Sequence, residues 1–348
     1  MKREELVAMV RQGEVVAKVD LAGVDLSGAD LSGGIFERSR LTGANLAGAK
    51  LRQSTLNGCD LSGASLTGAD LHAATVNECK LVEAKLDGAS LVLANFVGSS
   101  FSKASLVKAR CAVTGFVKSK LTGADMREAD LDRARFAEVD LAGADLTGAN
   151  IDRTTIYQVD LRTTKLGPRL NLGILYECNL AGKDFAGMEL LICQLTQTDL
   201  GGASFEGATI TQCNFKGANL EGARFTDVKG PMCLFVEARL AHAVFAGAKL
   251  KQSIFMGADL TGADLSKADL EQCIFSEARC VGARFTSSVL TYADFAHADL
   301  EGADLSHAKL FRTRFHKAKD EKATFTSRAG ALGDDPELAE AENYKPPY

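Results

Sequence analysis

The stretch Leu260 to Leu270, LTGADLSKADL, repeats itself every five residues. Leu260, Leu265 and Leu270 mark the period, Ala263 and Ala268 stand two places before a Leu, and Asp264 and Asp269 lie between Ala and Leu. Almost the whole chain follows this unit. From Leu21 to Leu166 all thirty central positions hold Leu, Phe, Ile, Val, Met or Cys, and the position two before each centre is always small. Two inward side chains flanking one outward side chain describe a very short strand. The remaining two residues, often Ser-Gly or Thr-Gly, must turn the chain. Glycine at the second of them suits a corner that a Cβ hinders. Each unit is therefore a strand and a corner, and the chain coils.

The number of sides follows from the large residues. Phe215, Phe235, Phe255, Phe275, Phe295 and Phe315 recur every twenty residues. Phe185, Phe205, Phe225, Phe245 and Phe285 form a second column ten residues out of step, and Leu dominates the centres between. Four sides separate these columns, whereas three sides would mix them. The predicted fold class is all-β: a four-sided parallel β-helix solenoid with a short N-terminal capping helix. Cys193, Cys213, Cys233 and Cys273 share one column with Ser253, and all nine cysteines fall on inward positions. Such cysteines read as small buried hydrophobes and reduced thiols. At about 4.8 Å per coil, about fifteen coils make a rod on the order of 70 Å long, filled with Leu, Phe and Ala and without a ligand cavity.

The expected organisation is a capping helix within residues 1–18, a first block at 19–166, a phase-shift joint at 167–174, a second block at 175–325 and a polar tail at 326–348. Leu6, Met9 and Val10 give the helix one apolar face, and Gly13 ends it. The register slips by one after Leu166, at GPRLN, Gly167 to Asn171. Gly230 before Pro231 predicts a local bulge. Asp335-Pro336-Glu337 predicts one helical turn in the tail, with Asp as cap and Pro first.

These units, more than sixty in succession over residues 20–325, make the chain resemble the pentapeptide repeat protein family. The resemblance implies a right-handed, four-sided β-helix. It does not imply one function: some members bind type II topoisomerases as DNA mimics, others belong to bacterial secretion or surface systems, and most have no known role.

The net charge of −5 is unremarkable for 348 residues, and no apolar run approaches the ~18 residues of a membrane span. Met1 to Asp20 lacks the apolar core of a secretory signal. A cytoplasmic, bacterial protein is expected. DNA mimicry needs a sustained negative face. Asp259, Asp264, Asp269, Glu271, Asp294, Asp299, Glu301 and Asp304 offer the best acids, and stacking is expected to bring Asp264 to Asp304 and Asp259 to Asp299. Basic residues interrupt them, with a belt at Lys103, Lys108, Arg110, Lys118 and Lys120 and a cluster at Lys309, Arg312, Arg314, Lys317, Lys319 and Lys322. Aromatic interleaving for direct nucleic-acid binding is absent. The five histidines, His72, His242, His297, His307 and His316, share no column, and no phosphate loop, nucleophile elbow or metal-ligand pair occurs. No catalytic residue, cofactor or metal site is assigned.

The unusual feature is apolar. Leu234, Ile254 and Ile274 occupy outward positions twenty apart, beside Met232, Val236 and Met256, with Tyr176 further along the same wall. Such positions are normally polar in the motif of the family that the chain resembles. An apolar patch on a flat sheet marks a partner surface or a self-association face. The sequence thus points to a non-enzymatic interaction scaffold, with a DNA-mimicking topoisomerase binder or a secretion accessory protein as alternatives.

Overall fold

Twenty residues separate partners along the ladders of the structure, a computed structural model that describes residues 1–344. The chain forms two compact units, Met1–Asn179 and Leu180 onward.

In the first unit, nine three-residue strands stack in one parallel sheet, from Val15–Ala17 and Ile35–Glu37 to Thr155–Tyr157 and Ile174–Tyr176. The other sides pair through single bridges: Asp20 with Arg40, Asp25 with Asn45, and Asp30 with Lys50. With Ile35 on Thr55, that makes four pairing sites per twenty-residue coil. The parallel β-solenoid and its four sides agree with the columns of large residues. Helix α1, Arg3–Arg11, buries Leu6 and Val10 against the first coils, where a methyl of Val10 lies close to Gly34. A helix laid over the first coil covers a sheet edge that would otherwise present unpaired amides.

Between Lys165 and Ile174 one coil is a residue short. Lys165 still bridges Asp145, twenty residues back, whereas Ile174 pairs with Thr155, nineteen back. Within the slipped segment, Arg169–Asn171 is itself a strand, so these residues are built into the coil and do not form a loop.

The second unit continues the same rule with bridges such as Asp199 to Asn219 and Ile254 to Ile274. Its two phenylalanine columns meet inside the coil. Phe215, Phe235 and Phe255 stack at 4.8–5.0 Å, and Phe205, Phe225 and Phe245 at 4.6–4.7 Å. Rings of opposite walls then meet edge to face, as Phe225 and Phe235 do at 5.9 Å and 88°. The stacking distance equals the strand spacing, so the coil pitch sets it, and each pair adds about 0.5–1.5 kcal/mol beyond burial.

Two expectations need correction. Gly230 makes no bulge: its N–H donates to the Lys249 carbonyl at 2.9 Å, and Lys229 bridges Lys249 in register. A Cβ at Gly230 would lie 2.5 Å from Ile210 Cγ1, so the neighbouring coil already fills the space of the missing centre. Nor do the corners depend on glycine. Among the described residues, thirty-six non-glycine residues hold positive φ at about the same angles as the corner glycines, Val113 at +59° and Ile192 at +58° included. Corner N–H groups donate to carbonyls of the next coil, as Val113 does to Asp132 and Ile192 to Thr211, and this ladder holds the left-handed geometry against the cost of a Cβ.

The tail is more ordered than one turn. Helix α2, Pro336–Asn343, is capped by Asp335, whose side chain accepts the N–H groups of Glu337 and Leu338. Ahead of it Leu332 pairs with Arg314, accepting from the Phe315 N–H and donating to the Thr313 carbonyl at 2.8 Å each. The Arg328 guanidinium sits over the Phe315 and Phe325 rings at 5.0 and 4.3 Å. The last four residues of the predicted tail lie outside the described residues.

Candidate interaction surface

All six residues singled out from the sequence lie in the second unit. Leu234, Ile254 and Ile274 follow one another in a single bridged ladder, between Asn214 on one side and Asp294 on the other. Their outward direction is fixed by the inward partners on each side, Cys233 and Phe235 for Leu234. Leu234 and Ile254 are half-buried by their stacked neighbours, and Ile274 is 36% exposed. Val236 and Met256 occupy equivalent positions of successive coils on one flank, and Met256 is 43% exposed. Met232, 42% exposed, lies on the other flank at a corner with φ of +59°. Polar groups frame the patch: Asn214 bonded to Gln194 at one end, the Asp294–Arg314 ion pair at the other, and the hydrogen-bonded Gln252 and Gln272 along one side. Tyr176 belongs to the first unit, where its ring stacks on Tyr157 at 5.8 Å.

The acidic ladders do not stack as the sequence suggested. Arg279 bridges both Asp259 and Asp299, and Arg284 bridges both Asp264 and Asp304. Ion pairs of 3.8 Å for Arg279–Asp259 and 3.5 Å for Arg284–Asp264 interrupt each run. A stride of twenty residues places Asp259 and Asp299 two coils apart with a cation between them. The basic belt is likewise met from the next coil, by Glu128 on Lys108 and Glu138 on Lys118. The repeat aspartates also act locally. Asp264 accepts the Ser266 N–H at 3.0 Å and Asp25 the Ser27 N–H at 3.0 Å, which closes the corner.

The nine cysteines are buried thiols outside any disulfide. Cys213, Cys233 and Cys273 donate to the carbonyls of Leu190, Ile210 and Leu250, one coil back. Ser253, Thr114 and Thr313 make the same bond with a hydroxyl. The column selects a small side chain with a proton to donate. Burial pushes the Cys233 thiol up to about 12 and holds Cys111, Cys273 and Cys280 far above the ordinary range, so these groups are protonated thiols, and those of Cys233 and Cys273 serve as donors.

One cluster escaped the sequence. His297 and His316 are nineteen residues apart, one short of a column, so their repeat positions differ. At the corner they are neighbours nonetheless: the His297 N–H donates to the His316 carbonyl at 2.9 Å and the rings meet edge to face at 5.5 Å. Glu342 of α2 joins them, 3.0 Å from His297 Nε2 and 3.4 Å from His316 Nε2. A nineteen-residue histidine spacing is the only signal the repeat carries, and Glu342 lies outside the repeat.

Among the described residues no helix is long and apolar enough to cross a membrane. Compared with known proteins, the chain matches no curated sequence. Among solved structures it is similar to HetL, a pentapeptide repeat protein involved in heterocyst differentiation regulation in the cyanobacterium Nostoc sp. strain PCC 7120. Identity is 20%, coverage 95% of this chain and 99% of HetL, and TM-score 0.16. QnrB1, a plasmid-mediated fluoroquinolone resistance protein, is 16% identical over 77% of this chain and 95% of its own, with a TM-score of 0.23. A pentapeptide repeat protein of the Arabidopsis thaliana thylakoid lumen is 25% identical over 40% of this chain and 66% of its own, with a TM-score of 0.18. The sequence profile of pentapeptide repeats matches eight times, over residues 20–58, 44–81, 79–110, 116–153, 129–166, 193–227, 238–277 and 278–316, which is more than half of the chain. The chain belongs to the pentapeptide repeat family.

Proposed function

We propose that this chain is a non-enzymatic, cytoplasmic interaction scaffold that docks a protein partner, or a second copy of itself, through the patch of Met232, Leu234, Val236, Ile254, Met256 and Ile274. The observation that carries the reading is the uninterrupted ladder Leu234–Ile254–Ile274 between polar Asn214 and Asp294. An outward ladder gains nothing for the core from three branched apolar side chains in succession. A protein surface that buries them gains the desolvation of a small apolar centre inside a polar rim. The DNA-mimicking alternative is less well supported, because Arg279 stands between Asp259 and Asp299 and Arg284 between Asp264 and Asp304 in the acidic ladders.

The test is the triple variant Leu234→Asp, Ile254→Asp, Ile274→Asp, with folding checked by circular dichroism. Partners are captured from a bacterial lysate and the purified protein's mass is measured by sedimentation, each beside wild type. Loss of a specific partner, or a fall in mass to that of one chain, supports the patch. Capture and mass both unchanged by the three charges would sink it.

A further inference from the structure

We infer that His297, His316 and Glu342 are the ligands of a divalent transition-metal ion that fastens α2 to the last coils. Their donor atoms, two imidazole nitrogens and one carboxylate oxygen, all lie within 4.8 Å of one another. Donors on a tetrahedral ion bound at about 2 Å stand about 3.3 Å apart, so the three need to close by up to about 1.5 Å. Two histidines and one carboxylate with a fourth position open is a zinc-type donor set. His316 is completely buried, which fixes its ring toward the cluster, and both His Nε2 atoms face Glu342.

Without metal, protons and a cation hold the site together. The Asp335 N–H donates to His316 Nδ1 at 3.0 Å, so the neutral His316 ring carries its proton on Nε2 and donates it to Glu342. Lys317 Nζ lies 2.6 Å from Glu342 Oε2. A metal ion on His316 Nε2 therefore requires three exchanges. The ring proton moves from Nε2 to Nδ1, the Asp335 N–H gives up Nδ1 as its acceptor and turns away from it, and the Lys317 ammonium leaves the carboxylate. The first exchange has an acceptor waiting, since Asp334 Oδ1 lies 4.0 Å from His316 Nδ1 and now accepts the Lys317 N–H. An Nδ1–H turned to Asp334 is the carboxylate–histidine–metal arrangement that orients such ligands. No net proton is released, because the ring stays neutral. The ion replaces the cationic and protonic holds on Glu342 by direct ligation, so tail docking becomes metal-dependent.

The competition by Lys317 separates this site from a plain hydrogen-bonded clamp. The full chain, stripped with chelator, is titrated with Co2+ by visible absorption and with Zn2+ by calorimetry. We expect one ion per chain with a tetrahedral-type Co2+ band. His297→Ala and Glu342→Gln, both at solvent-accessible positions, should each weaken binding about tenfold or more. Lys317→Met should tighten it by about threefold, the value of one lost ion pair. The control His72→Ala should leave it unchanged, and added Zn2+ should slow proteolysis within residues 326–343. The inference is overturned by absence of binding at about 100 μM ion. Binding indifferent to His297→Ala and Glu342→Gln, or weakened by Lys317→Met, overturns it equally.

Discussion

The Ser253 hydroxyl accepts the Cys233 N–H at 3.1 Å and donates to the Gly230 carbonyl at 3.2 Å, so one side chain ties together two coils of the second unit. At Cys213 and Ser253 the N–H goes to the carbonyl three residues back, Ile210 and Leu250. At Cys233 the Ser253 oxygen receives it. Ser253→Ala therefore strands a buried N–H and should cost about 1–3 kcal/mol. Ser253→Cys keeps a donor and an acceptor of similar size, as Cys79 does for the Cys59 N–H, and should cost less. Urea unfolding of both variants measures the difference. An Ala variant as stable as wild type would show that the bridge contributes nothing.

This bond shows what a one-dimensional repeat makes legible. The stride from residue i to i+20 can be read from Phe235 and Phe255 alone, and it fixes which side chains stack, which point inward and which polar atom meets which carbonyl. The apolar ladder at Leu234, Ile254 and Ile274 was visible for that reason. Legibility fails where the stride is misapplied or ends. Asp259 and Asp299 look like neighbours in a run of acids, but the stride puts Arg279 between them. His297 and His316 touch through their backbones despite different repeat positions, because a corner brings together residues that the column rule separates. Glu342 reaches them from a helix that no periodicity places.

Val113 tests the corners. It is a β-branched residue at φ +59°, exposed, with its N–H fixed on Asp132. Val113→Gly removes the Cβ from a left-handed conformation that costs about 1–2 kcal/mol, and the greater freedom of glycine in the unfolded chain returns part of that gain. The expected net is a stabilisation of up to about 1 kcal/mol. Gly63 is the reverse case: it holds φ +65° with no atom within 4 Å of an added Cβ, so Gly63→Ala isolates the backbone cost and should lower stability by about 1 kcal/mol. Thermal melts of the two variants should shift in opposite directions. Shifts of the same sign would mean that the ladder, not the residue, sets the corner's energy.

Asp304 gives the acid dependence. Its carboxylate receives the Ser306 N–H, the Thr286 hydroxyl and the Thr324 hydroxyl, each at 2.9 Å. The Ser306 bonds, foremost among these, hold its pKa far below the usual carboxylate range. A folded-state pKa below the unfolded value of about 3.9 means that the ionised group stabilises the fold above that pH. The contribution is lost as pH falls from there through the depressed folded value. Asp304→Asn should therefore be less stable than wild type at neutral pH, and the gap should narrow as pH falls from about 4 toward 2, where wild-type Asp304 begins to be protonated in the unfolded chain. Denaturation midpoints of both proteins across that range make the comparison. A gap that stays constant with pH would mean that the three hydrogen bonds serve the neutral amide as well as the carboxylate, and that the charge on Asp304 is incidental to the last coils.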